Sequence, residues 1–130
     1  MSNVAHHSRL SVIVIDTPSG THEQELAFWQ AATGQSLARI DRHPEYHGAV
    51  LPGGPTALLV QRLGQGEARV HLDIHTDDLP AEVSRLEDLG AERVALADGW
   101  QVMRDPAGLV FCVVLEPPGK LTGENAKRWD

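Results

Sequence analysis

The segment RVHLDIHT, residues 69–76, places His71, Asp73 and His75 at every second position. In a strand, such residues project from one face, and the outer pair lie about 13 Å apart. His71 and His75 are therefore too far apart to share one metal ion. His71 with Asp73, or Asp73 with His75, could share one. A histidine beside an aspartate can also do general acid–base work near neutral pH. The third reading is a polar wall of a wet cavity, bonded to water and backbone. Cys112 is the only cysteine, which excludes an intrachain disulfide and a multi-thiolate zinc site. It stands between Phe111 and Val113, with no cation nearby to lower its pKa, and reads as a structural thiol rather than a nucleophile. Trp100 is either core or a stacking wall for a flat ligand, and Tyr46 is a candidate rim residue. His43 and His47 flank a proline and read as a solvated loop. His6 and His7 read as surface residues of a flexible arm.

Two kinds of element must position these groups. Residues 9–15, RLSVIVI, are short and rich in β-branched side chains, which predicts a strand. Asp16-Thr17-Pro18-Ser19-Gly20 reads as turn material, followed by a helix near 21–33 with Thr21 and Gln24 as a capping box. Phe28 and Trp29 are assigned to its core face, and Gly34 to a left-handed cap. Short strands are expected near 36–41, 46–51 and 56–62. The second half repeats the pattern. Its strand at 69–76 turns Val70, Leu72 and Ile74 away from the His71 face. A helix near 79–89 starts at an acid and a proline and stops at Gly90. Strands near 92–96, 100–104 and 109–115 follow.

The chain thus reads as a repeat of strand–helix–three strands. An N-terminal arm is expected at 1–8, one domain at 9–116 and a polar tail at 117–130, with Trp129 a candidate pin. The domain divides into modules at about 9–66 and 67–116. With 130 residues, 42% hydrophobic and 22% charged, the chain can bury a core and is unlike a disordered one. Its net charge of −7 argues against nucleic acid and anionic membrane surfaces as partners. No apolar stretch approaches a membrane span and no secretory pattern leads the chain, so a soluble cytoplasmic protein is expected.

The second half, HLDIHTDDLPAEVSRLEDLGAERV followed by WQVMRDPAGLVFCVV, resembles the vicinal oxygen chelate superfamily of glyoxalase-like and bleomycin-resistance-like domains. The first half is similar through VIVIDTP and the helix ending at Gly34. The resemblance implies an α+β fold of two βαβββ modules, with curved sheets forming an open barrel and helices outside. It implies a metal site at four positions, occupied here by Arg9, Gln61, His71 and Cys112. Arginine cannot ligate, and an amide is a weak ligand, so this is a poor divalent site. The expected function is a small-molecule-binding protein that sequesters a planar or apolar ligand without a metal cofactor. Its ligand residues would be drawn from His71, Asp73, His75, Trp100, Tyr46, Cys112, Gln61 and Arg9. The alternative is a metal-dependent lyase, isomerase or dioxygenase, with a divalent ion on His71 and Asp73. A homodimer is expected, since related proteins pair and open sheets leave edges to cover.

Overall fold

The computed structural model describes residues 4–130. These hold nine strands and two α-helices in an α+β arrangement, and they divide into two units. The N-terminal module is Val12–His71, and the C-terminal module joins the residues up to Ser11 to Leu72–Asp130. Two strands, β1 (His6–Thr17) and β5 (Arg69–Thr76), each run through both units.

In the N-terminal module, β1 is followed by α1 (His22–Thr33), β2 (Ala38–Ile40), β3 (His43–Val50) and β4 (Ala57–Arg62). The strand order is β2-β3-β4-β1, with β4 parallel to β1 and the other neighbours antiparallel. Ile15 of β1 and Leu58 and Val60 of β4 close a core with Leu26 of α1 and Leu37. Helix α1 ends where Gly34 turns left-handed at φ 70°, a conformation that a Cβ would strain.

The expected capping box does not form. Thr21 makes no cap bond; its hydroxyl donates instead to Pro18 O at 3.4 Å, within a short 3₁₀ turn at Ser19–Thr21. Phe28, assigned to the core, is 58% exposed, while Trp29 packs against the core. Asp16 and Thr17 are the buried end of β1 rather than a turn. Backbone before a proline favours the extended region, so Pro18 prolongs the strand. His43–His47 belongs to β3 rather than a loop. The β2–β3 register shifts between Arg39 and Ile40, and Pro44 falls where neither neighbour is paired to it.

In the C-terminal module, β5 is followed by α2 (Leu79–Asp88), β6 (Glu92–Ala97), β7 (Trp100–Arg104) and β8 (Val110–Leu115). The order is β6-β7-β8-β5, again with the outer pair β8 and β5 parallel. This is the topology of the N-terminal module, so the repeat read from the sequence is present. Asp78 caps α2 by accepting from Ala81 N at 3.0 Å, and Gly90 stands past its end at φ 109°. Val83 and Leu86 of α2 pack with Met103, Phe111 and Val113, and Leu72 and Ile74 join them as the alternation of β5 requires.

A ninth strand, β9 (Lys127–Trp129), comes from the expected tail and pairs antiparallel with His6–Ser8. His6 and His7 are therefore strand residues, with His6 only 6% exposed, and not residues of a surface arm. Positions 1–3 of that arm lie outside the described residues. No helix among the described residues is long and apolar enough to cross a membrane.

Candidate functional site

In the N-terminal module, parity along the strands puts Asp16, Gln61 and Tyr46 on the face opposite α1. Asp16 is in register with Gln61, and Gln61 with Tyr46. The Gln61 amide donates to the Tyr46 hydroxyl at 3.4 Å. Asp16 is wholly buried, and its Oδ2 accepts from Nδ1 of His71 at 2.7 Å and from Nε of Arg69 at 3.0 Å. A carboxylate accepts, so Nδ1 of His71 carries a proton, and in the neutral ring Nε2 is the acceptor nitrogen. Asp16 Oδ1 has no hydrogen-bond partner among the described residues. A carboxylate that fixes an imidazole in this way serves a metal-binding or a base histidine equally well.

The opposite face of the same strands carries a second polar group. Thr17 donates to Gln61 O at 3.0 Å, so its oxygen accepts from Nδ1 of His22 at 2.8 Å. The His22 ring lies 5.4 Å from that of His47. Burial holds the His22 pKa below the usual histidine value, and neighbouring His47 and Arg62 push it the same way, against a weaker pull from Glu23.

In the C-terminal module, Asp73 of β5 stands opposite Cys112 of β8. His71 precedes Asp73 by two positions on the same face of β5, and the three form a group of metal-capable donors on adjoining strands. His75 bonds through Nδ1 to Glu116 Oε1 at 2.5 Å. Trp100 opens β7 opposite Val114 and is 43% exposed. Arg9 donates from Nε to Ser11 Oγ at 2.9 Å and from Nη1 to Asn125 O at 3.3 Å.

A third group lies on α2. Glu82 is wholly buried and accepts from Nε and Nη2 of Arg85, each at 2.8 Å, and pairs with Nε2 of His6 at 2.7 Å. Burial alone would raise the Glu82 pKa, but donors from Arg85, His6 and Ser8 outweigh it and hold it below the usual carboxylate value. Asp77 is held low in the same way, by the backbone and imidazole of His7 against its burial.

Sequence reasoning found His71, Asp73 and Cys112 but not Asp16, His22 or Glu82. The extended preference of a residue before proline applies to Thr17, and a strand continued to Thr17 takes Asp16 with it. Glu82 carries no local signal, because its partner His6 is 76 residues away.

A family model described as a glyoxalase-like domain matches residues 12–114. The chain belongs to that family, and with it to the vicinal oxygen chelate superfamily. No curated protein matches the chain. Among solved structures it is similar to methylmalonyl-CoA epimerase from Mycobacterium tuberculosis, at 16% identity and a TM-score of 0.56, covering 84% of this chain and 88% of that one. It is also similar to a mutant of 4-hydroxymandelate synthase from Streptomyces coelicolor, at 13% identity and a TM-score of 0.57, covering 92% of this chain and 52% of the synthase. A third is 2,2',3-trihydroxybiphenyl 1,2-dioxygenase from Sphingomonas wittichii, at 15% identity and a TM-score of 0.51, covering 85% of this chain and 41% of the dioxygenase. At these identities the likeness shows the fold.

The donor set can be tested against the metal that the fold family implies. His71, Asp73 and Cys112 offer an imidazole, a carboxylate and a thiolate. Three such ligands fit a zinc-like ion with one position open. They do not make the two-histidine, one-carboxylate set of non-haem iron. Arg9 cannot be a fourth ligand, and its guanidinium is bonded to Ser11 and Asn125.

Proposed function

We propose that this chain is a small-molecule-binding member of the glyoxalase-like family, holding a planar or largely apolar ligand by sequestration rather than by metal catalysis. The observation that carries the reading is the Asp16–His71 pair. A buried carboxylate fixes the orientation of one imidazole, which serves as a polar anchor on this face. Tyr46 and Gln61, bonded to each other on neighbouring strands, are the further polar contacts, and Trp100 is the candidate stacking wall. Asp73, His75 and Cys112 are further ligand residues in this reading, and Arg9, expected among them, is bonded to Ser11 and Asn125.

One observation favours a second reading. The donors His71, Asp73 and Cys112 would hold a zinc-like ion, whose chemistry is to polarise a bound oxygen or acidify a bound water. In that case the chain is an enzyme, and Asp16 is the residue that orients its histidine ligand.

Elemental analysis and native mass spectrometry of the full chain, purified without chelator or histidine tag, separate the two. The binding reading expects no stoichiometric divalent ion, and ligand-induced thermal stabilisation that weakens in His71→Ala. About one ion per chain, lost in His71→Ala, would overturn it in favour of the enzyme.

A further inference from the structure

We infer that the C-terminal module carries a separate binding site for a small amphipathic anion, on the α2 side of its strands. A cavity of about 510 Å³ lies there, within the size range of small-molecule sites. Leu72 and Ile74 of β5 and Phe111 of β8 form its floor, and Leu10, Leu109 and Trp129 form its walls. By the alternation of β5, this is the face opposite Asp73, so the site is distinct from the polar face described above. Leu10 and Leu109 remain 46% and 49% exposed, which leaves apolar surface for a ligand to cover.

The charges at the cavity choose the ligand class. Arg9, Arg85 and Lys127 line it against one acid, Asp105. Arg85 is matched by Glu82 and stacks 3.8 Å above the Trp129 ring. Asp105 is engaged by the backbone N–H groups of Ala107 and Leu109. Arg9 and Lys127 have no carboxylate partner among the described residues, in a chain whose net charge is −7. Two uncompensated cations beside an apolar cavity suit a carboxylate with a hydrocarbon chain or ring attached. The wall supplied by Trp129 is built in, because its indole N–H donates to Ser8 Oγ at 2.9 Å while β9 pairs with β1.

The test is calorimetric titration of the full chain with decanoate, and with decyltrimethylammonium as the cation of equal chain length. We expect one decanoate per chain, bound at least ~10-fold more tightly than the cation. The double variant Arg9→Gln/Lys127→Gln should weaken decanoate at least ~10-fold while circular dichroism stays unchanged. Leu109→Asp, at an exposed position, should weaken it as well, which guards against a folding artefact in the double variant. Equal affinity for both amphiphiles, or no binding below about 1 mM, would overturn the proposal. So would decanoate binding that is lost in His71→Ala and kept in the double variant, since the ligand would then sit on the polar face. A dimer that dissociates in Leu109→Asp, with no decanoate bound to wild type, would assign the cavity to a second copy instead.

Discussion

The two modules share a strand order and differ in where each keeps its buried carboxylate. The N-terminal module buries Asp16 in a strand, where it holds His71 and Arg69. The C-terminal module buries Glu82 in a helix, where it holds Arg85 of the same helix and His6 of β1. The first arrangement orients a side chain that can meet a ligand. The second ties a helix to a strand. The helices differ accordingly: α1 buries only His22 and Leu26, whereas α2 buries Ala81, Glu82, Val83 and Leu86. One topology therefore supports two interiors, with the buried carboxylate orienting an imidazole in one and tying a helix to a strand in the other.

The largest effect that would break this comparison is expected from Glu82→Ala. It leaves the guanidinium of Arg85 and the imidazole of His6 beside a buried vacancy, and removing one member of a buried ion pair costs about 3–5 kcal/mol. Urea denaturation measures it. A loss under about 1 kcal/mol would mean that the network does not anchor α2.

The next effect sharpens the contrast between the helices. Leu86→Ala removes a buried α2 side chain packed with Val83, Met103 and Phe111 and should cost about 2–5 kcal/mol. Phe28→Ala on α1 removes a larger side chain that is 58% exposed and should cost under about 0.5 kcal/mol. The same denaturation experiment compares them. Equal costs would mean that α1 is packed as closely as α2.

Local patterns carried the repeat, because strand and helix periods are properties of adjacent residues. Leu72 and Ile74 against Val83 and Leu86 followed from alternation and a helical stripe alone. The partners of His6 did not follow, because β9 reaches it from the far end of the chain, Trp129 opposite His6. No periodic signal records a pairing over that distance. Asp16 was hidden for another reason. DTPSG has turn composition, yet Thr17 ends a strand and the reversal begins after it. Composition identified the turn but not which of its residues were still extended. His71 was legible as a candidate, while the carboxylate that orients it was not, so half of the pair emerged only from the fold.

The smallest expected effect separates the modules by pH. Burial, with His47 and Arg62, holds the His22 pKa below its unfolded value of 6.5. Above 6.5 both states are neutral and the full contribution of His22 is present. As pH falls below 6.5 the unfolded chain takes up a proton that folded His22 resists, so stability declines until the folded pKa is passed. In the C-terminal module, Asp77 and Glu82 are held below unfolded values of 3.8 and 4.5. Their contributions are intact above those values and are lost only as pH falls through the lower folded ones. Stability lost on acidification from about pH 7 to about pH 5 should therefore include a His22 share that those two acids do not supply. His22→Gln should flatten the dependence of the thermal midpoint on pH over that interval. Arg62→Gln, which removes a fixed positive charge near the ring, should move the NMR titration midpoint of His22 upward while leaving it below 6.5. Parallel pH profiles for wild type and His22→Gln would show that the near-neutral sensitivity belongs elsewhere in the chain.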